Sequence, residues 1–153
     1  MAGNTTGKEL SLTTFGESHG AATGGILDGF PSRIPIDTEF IQSEVNCRNP
    51  AGYPFSTPRS EPDRVEILSG LFEGLTTGTP IAFMIRNSDQ KPGDYDALKN
   101  IYRPSHADYT YQAKFGIRDH RGGGRASARS TAAMVAGGAF AKIFLNTLSI
   151  RVT

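Results

Sequence analysis

Short apolar stretches separated by turn-forming residues dominate this chain until a single long one near the end. Leu10 to Phe15 reads as a strand leading into the glycine-bounded turn Gly16-Glu17-Ser18-His19-Gly20, and Gly24 to Leu27 is a second short apolar run ended by Asp28-Gly29. Thr38 to Val45 carries apolar residues at 40, 41 and 45, the spacing of a short helix, with Asp37 as its N-cap. Asn46 to Ser60 is a loop broken by Pro50, Gly52, Pro54 and Pro58. Val65 to Phe72 and Pro80 to Arg86 read as strands divided by the Gly- and Thr-rich Glu73 to Thr79. Asn87 to Asp94 is a polar loop, Tyr95 to Ile101 a short helix, and Arg103 to Gly124 irregular. Ser127 to Leu145, Ala-rich and free of proline, predicts the longest helix, in which Gly137-Gly138 either weakens the turn or admits a close neighbour. Ile150-Arg151-Val152-Thr153 alternates like a strand just beginning. There is no internal repeat and no dividing linker.

Composition narrows the function classes. A net charge of +1 argues against a general nucleic-acid binder, yet arginine outnumbers lysine, and arginine suits forked contacts to carboxylate or phosphate. Hydrophobic residues are only 37% and glycines number 18, which favours turns and close backbone approaches. One cysteine, Cys47, rules out an internal disulfide and points to a reducing compartment. Met1 to Thr14 lacks the apolar region of a signal peptide and no run approaches a membrane span, so a cytoplasmic location without membrane or nucleic-acid partners is expected. His19, His106 and His120 are far apart in sequence and no metal site stands out.

Three segments carry candidate chemistry. Gly16-Glu17-Ser18-His19-Gly20 matches the Gly-x-Ser-x-Gly elbow of serine hydrolases. That elbow needs a helix after it, and Gly24-Gly25 and Asp28-Gly29 oppose one; His19, adjacent to Ser18, is also poorly placed as its base. The same residues fit a plain turn, or a turn whose glycines admit a ligand to which His19 donates a proton. In Arg103-Pro104-Ser105-His106-Ala107-Asp108-Tyr109, the flanking charges can tune His106 as an acid or base, or it is an ordinary loop histidine. Arg121-Gly122-Gly123-Gly124-Arg125-Ala126-Ser127-Ala128-Arg129 runs three glycines into a helix start, where exposed N–H groups favour an anion such as a phosphate or flavin phosphate. Arg125 and Arg129, four apart, are expected on one helix face. A flexible hinge and an RNA-binding Arg-Gly-Gly element are the alternatives.

Taken in order, these segments resemble the chorismate synthases. The likeness runs through Thr13-Thr14-Phe15-Gly16-Glu17-Ser18-His19-Gly20, Glu66-Ile67-Leu68-Ser69-Gly70, Phe72-Glu73-Gly74, Thr76-Thr77-Gly78-Thr79, Arg103 to Tyr111 and Arg121 to Arg125. The resemblance implies an α+β fold over residues 1–153 with a β-α-β sandwich-like core. It implies conversion of 5-enolpyruvylshikimate 3-phosphate to chorismate and phosphate, a redox-neutral 1,4-elimination in the shikimate pathway of aromatic amino acid biosynthesis that requires reduced FMN. Position by position, it makes His19 the acid for the departing phosphate and His106 an aid to flavin protonation. Ser18, Arg48, Arg103 and Arg129 fall in the substrate pocket, and Arg125, Ala126 and Ser127 match a segment contacting FMN. Arg48 also matches a position associated with NADPH, the reductant. Full-length members are homotetramers.

The chain departs from the family in two ways. The loop after the first helix keeps only Arg48 of a usual basic cluster, with Pro54 where another arginine is expected, and His120 replaces a usual tyrosine. Family members are also more than twice as long, and the additional part carries further FMN contacts and the candidate for ring deprotonation. The sequence therefore reads as an amino-terminal portion that binds FMN weakly, does not turn over alone and leaves apolar helix and sheet faces uncovered. An inactive remnant keeping anion-binding features, and a serine hydrolase using Ser18, are the competing functions.

Overall fold

The computed structural model describes residues 3–48, 61–89 and 92–152; the expected basic-loop departure at Pro54 lies outside them. The fold is α+β. Five antiparallel strands form one sheet in the order β1-β2-β3-β7-β4, from β1 (Thr5–Gly7), β2 (Ser11–Gly16), β3 (Ala22–Asp28), β4 (Val65–Ile67) and β7 (Ile81–Arg86). β5 (Leu71–Phe72) and β6 (Leu75–Thr76) make a separate two-stranded ribbon. The helices α1 (Thr38–Cys47) and α3 (Thr131–Thr147) pack together over the sheet, and α2 (Asp108–Phe115) stands in the intervening segment.

Strand register explains the core. Leu12 pairs with Leu27, Leu27 with Ile81, Gly25 with Phe83 and Thr23 with Ile85, so alternate residues of three strands face the helices. Phe83 and Phe140 are fully buried with ring centroids 5.7 Å apart, and Ile41 and Val45 of α1 join the same cluster. Gly137 is the close approach left open by the sequence: an added Cβ would stand 2.7 Å from Leu12 Cδ2. Gly138 meets nothing within 4 Å. The described residues therefore form one sheet layer and one helix layer of the expected sandwich. Apolar faces are uncovered as expected: Phe15 and Ile26 on the outer side of the sheet are each 40% exposed and Met134 of α3 is 53% exposed.

Several predicted elements hold and others change. Asp37 caps α1, its Oδ1 accepting the Phe40 N–H at 2.9 Å. The single strand expected over Val65 to Phe72 is broken, because Gly70 adopts φ +84, a left-handed turn that ends extension and opens the β5–β6 hairpin. The helix expected at Tyr95 to Ile101 is a 3-10 turn at Pro92–Leu98. The helix expected from Ser127 begins at Thr131, after two 3-10 turns at Gly124–Ala126 and Ala128–Ser130. Residues 150–152 are not extended in a strand.

The stretch expected to be irregular contains α2, whose apolar periodicity is weak. Its readable signal is at the end: Lys114 in the last turn, then Gly116 at φ +75 donating its N–H to Gln112 O.

Candidate active site

Ser18 and His19 lie in the turn joining β2 to β3, so a strand follows them and the nucleophile-elbow geometry is absent. One expectation is overturned: although adjacent, the two side chains meet, with Ser18 Oγ 3.0 Å from His19 Nδ1. Ser18 is 2% exposed. The turn is closed by Gly20 N–H donating to Glu17 O at 3.2 Å.

The glycine run packs onto this turn. Gly122, at φ +57, lies so close that an added Cβ would stand 2.2 Å from His19 Nδ1 and 2.8 Å from Ser18 Oγ. Only glycine fits there on both counts. Arg103 reaches the same point, donating from its guanidinium to Gly122 O at 2.7 Å. The Tyr95 ring stands edge-on to His19 with centroids 4.8 Å apart and lies 5.8 Å from the Arg103 guanidinium carbon. The neighbours Ser18 and His19 and the sequence-distant Arg103 are thus gathered around Gly122. His106 is exposed on the neighbouring turn, its Nδ1 3.1 Å from Pro104 O.

Two carboxylates organise the cations. Asp108 accepts a forked pair of hydrogen bonds from Arg103 at 2.8 and 2.9 Å and lies 3.2 Å from Arg118. The Arg103 hydrogen bonds hold its carboxyl well below the usual range, against the opposing effect of burial. Asp63, buried and at the unusual φ of +46, pairs with Arg129 and lies 3.9 Å from Arg48. Each trio sets two guanidiniums around one carboxylate. A third pair, Arg121 with Asp119 at 2.7 Å, holds Asp119 low by the same hydrogen bonding.

Arg125 and Arg129 do not share a helix face, because the chain between them turns in 3-10 form rather than α. Arg125 donates to Gly16 O at 3.1 Å, Thr14 Oγ1 at 2.7 Å and Asn4 Oδ1 at 3.1 Å, clamping the end of β2. Arg129, 6% exposed, donates to Asn87 Oδ1 at 2.9 Å and Arg86 O at 3.3 Å besides its Asp63 pair. Asp63 and Asn87 escaped sequence reasoning, whereas Gly122 lay within the glycine run it singled out. Asp63 and Asn87 meet Arg129 across 66 and 42 residues, and no local pattern announces such partners.

A cavity of about 510 Å³ adjoins the site, bordered by Tyr111, Phe115 and Ile117 together with Arg121, Gly123 and Ala126. Its size falls within the roughly 300–1,000 Å³ of small-ligand pockets. Apolar rings beside Arg118, Arg121 and Arg125 suit a planar, phosphorylated group such as FMN, while Glu17, Asp108 and Asp119 share the lining and offset part of that charge. Arg125 also borders this space, whereas Ser127 turns its Oγ inward to accept the Arg129 N–H at 3.2 Å. Arg48, matched in sequence to substrate and NADPH positions, lies 3.9 Å from Asp63. Among the described residues, no group of His, Cys, Asp or Glu is arranged to hold a metal, and no helix is long and apolar enough to cross a membrane.

These features define an α+β protein whose glycine-lined site concentrates arginine charge around a histidine. Residues 10–153 match the family described as chorismate synthase. The chorismate synthase of Campylobacter curvus is 61% identical over 149 residues, covering 97% of this chain and 42% of the relative. That of Bacteroides thetaiotaomicron is 57% identical over 150 residues, covering 98% and 42%. A crystal structure of chorismate synthase superposes with a TM-score of 0.71 at 38% identity, covering 95% of this chain and 36% of that one. The chain belongs to the chorismate synthase family and spans about two fifths of the length of the curated relatives it matches.

Proposed function

We propose that this chain forms the phosphate-handling part of a chorismate synthase, which eliminates phosphate from 5-enolpyruvylshikimate 3-phosphate to give chorismate in aromatic amino acid biosynthesis. Beside family membership, one observation supports this: two Arg–Asp–Arg trios converge on the His19 turn, one through Arg103 at Gly122 and the other through Arg129 and Asn87. Charge gathered on the departing phosphate is stabilised by cations already held in place, with no reorganisation at the moment of bond cleavage.

His19 is the acid. Ser18 Oγ engages Nδ1, so the proton given to phosphate leaves from Nε2. Ser18, Arg48 and Arg103 face the substrate, and Arg129 backs Arg48 through their shared Asp63. Arg125 and Ala126 hold the edge of FMN in the adjoining cavity, while His106 assists its protonation. Reduced FMN, when bound, supplies an electron transiently and so weakens the C–O bond to phosphate. By the same likeness, the small-molecule substrate, homotetrameric assembly, use of NADPH and cytoplasmic setting of the family extend to the full-length protein. The relatives carry more than half their length outside the matched part, so the activity is proposed for a chain of their length.

The test is a titration of the isotopically labelled chain with the enolpyruvyl substrate, followed by nuclear magnetic resonance. Shifts at His19, Gly122 and Arg103 that require the substrate's phosphate are expected. With reduced FMN and a chain of the relatives' length, His19→Ala lowers phosphate release by about 10²-fold or more. Unmoved His19 signals at saturating substrate, or full release by His19→Ala, would sink the assignment.

A further inference from the structure

We infer that Asn87 is the positioning residue that holds the His19 turn in shape, an inference resting on the reading of His19 as the acid. Asn87 follows β7 directly and is 8% exposed. Its side-chain Nδ2 donates to Glu17 O at 3.0 Å and to Gly20 O at 2.7 Å, the two ends of the turn that contains Ser18 and His19. Its backbone N–H donates to Ala21 O at 3.1 Å, one residue ahead of β3. Glu17 O thus receives both the turn-closing Gly20 N–H and the Asn87 amide. One side chain therefore sets the distance between the ends of the turn and the tilt of the peptides that carry the acid.

The orientation of the amide is determined by chemistry. Asn87 Oδ1 accepts from Arg129 Nε at 2.9 Å. The opposite orientation would press the amino group against a guanidinium and the oxygen against two carbonyls, leaving every partner mismatched. Arg129 is itself fixed by Asp63, which sits buried ahead of β4. The chain of contacts Asp63–Arg129–Asn87 runs from the edge of the sheet to the backbone of the His19 turn. Both donors and the acceptor of a carboxamide are used, so neither aspartate nor serine can replace it.

Asn87→Asp keeps the Arg129 link and loses both donors to the turn. In the labelled chain, the Gly20 amide should exchange its hydrogen about tenfold faster or more. The His19 ring nitrogen signals should move toward a tautomer mixture as the Ser18 contact loosens, while β3 and α3 amides keep their protection. Asn87→Ser, which loses reach to both sides, should give the same local pattern and guards against a charge effect or a misfolded aspartate variant. Unchanged Gly20 exchange and unchanged His19 ring signals in whichever variant folds overturn the inference. So does a uniform loss of protection across the sheet, which marks a purely structural role. These readouts need no substrate: if the enolpyruvyl phosphate leaves His19 unmoved, the acid assignment fails while the clamp is still judged by exchange.

Discussion

The sheet with α1 and α3 is held together by apolar burial, whereas residues 92–130 are held largely by arginines. In the first region Phe83, Phe140, Ile81, Ile85, Ile41 and Val45 are almost completely buried. In the second, Ile101, Tyr102, Tyr109, Phe115 and Ile117 are exposed, and the segment is pinned by Arg103, Arg118 and Arg125 to carboxylates and backbone carbonyls. Arg118 alone donates to the carbonyls of Leu98, Lys99 and Ile101. Apolar packing resists changes of pH and is not screened by salt, but it cannot present charge. Guanidinium contacts present charge in a set geometry and inherit the pH and salt sensitivity of their partners. The residues proposed for chemistry fall where the two regions meet, Ser18 and His19 on the turn between β2 and β3 and Arg103 from the second region, and Asp63, Arg129 and Asn87 tie the two together.

Phe140→Ala gives the largest effect expected. It empties the centre of the apolar region and should cost about 3–5 kcal/mol of global stability. Urea denaturation followed by circular dichroism measures it; a loss confined to residues 92–130 would erase the distinction between the regions.

Asp108→Asn should act locally. Arg103 and Arg118 lose their shared counter-charge, so hydrogen exchange in α2 and at Gly122 accelerates while α3 stays protected. Acid should reproduce the variant. The Asp108 carboxyl titrates lower when folded than when unfolded, so its pairing stabilises at every pH above the ordinary value of 3.8 and is lost progressively as pH falls below it. Asp119 adds the same sign through Arg121. Exchange profiles at falling pH should therefore show α2 opening before α3, and simultaneous opening would count against the contrast.

Glu66→Ala marks the lower limit. Its pair with Arg86 lies at the sheet edge, where the Arg86 side chain is 65% exposed, and its removal should change stability by less than about 1 kcal/mol. A larger loss in the same urea titration would mean that ion pairs matter to the apolar region after all.

The apolar region was largely legible in the sequence because its signals are local. The run to Phe15, the apolar stretches at Gly24 to Leu27 and Pro80 to Arg86, the Asp37 cap and the Ala-rich terminal helix each declare themselves within a few residues. Errors there had local causes too: a left-handed Gly70 divides an apparently continuous strand, and two 3-10 turns delay α3. The site was legible only as three motifs in order. Glycines and arginines in those motifs suit an anion, but nothing local in them shows that Ser18, His19 and Arg103 meet at Gly122.

What the sequence by itself determined was therefore the family, the main strands and helices, and the residue types available for chemistry. The tertiary structure alone decided which arginine serves which partner. Arg125 turns back to β2, Arg129 goes to Asp63 and Asn87, and Arg103 reaches Gly122 beside His19. The physical reason is range. Helix and strand periodicity is a property of neighbouring residues, whereas a long, charged side chain takes whichever carboxylate or carbonyl the folded backbone brings within about 3 Å.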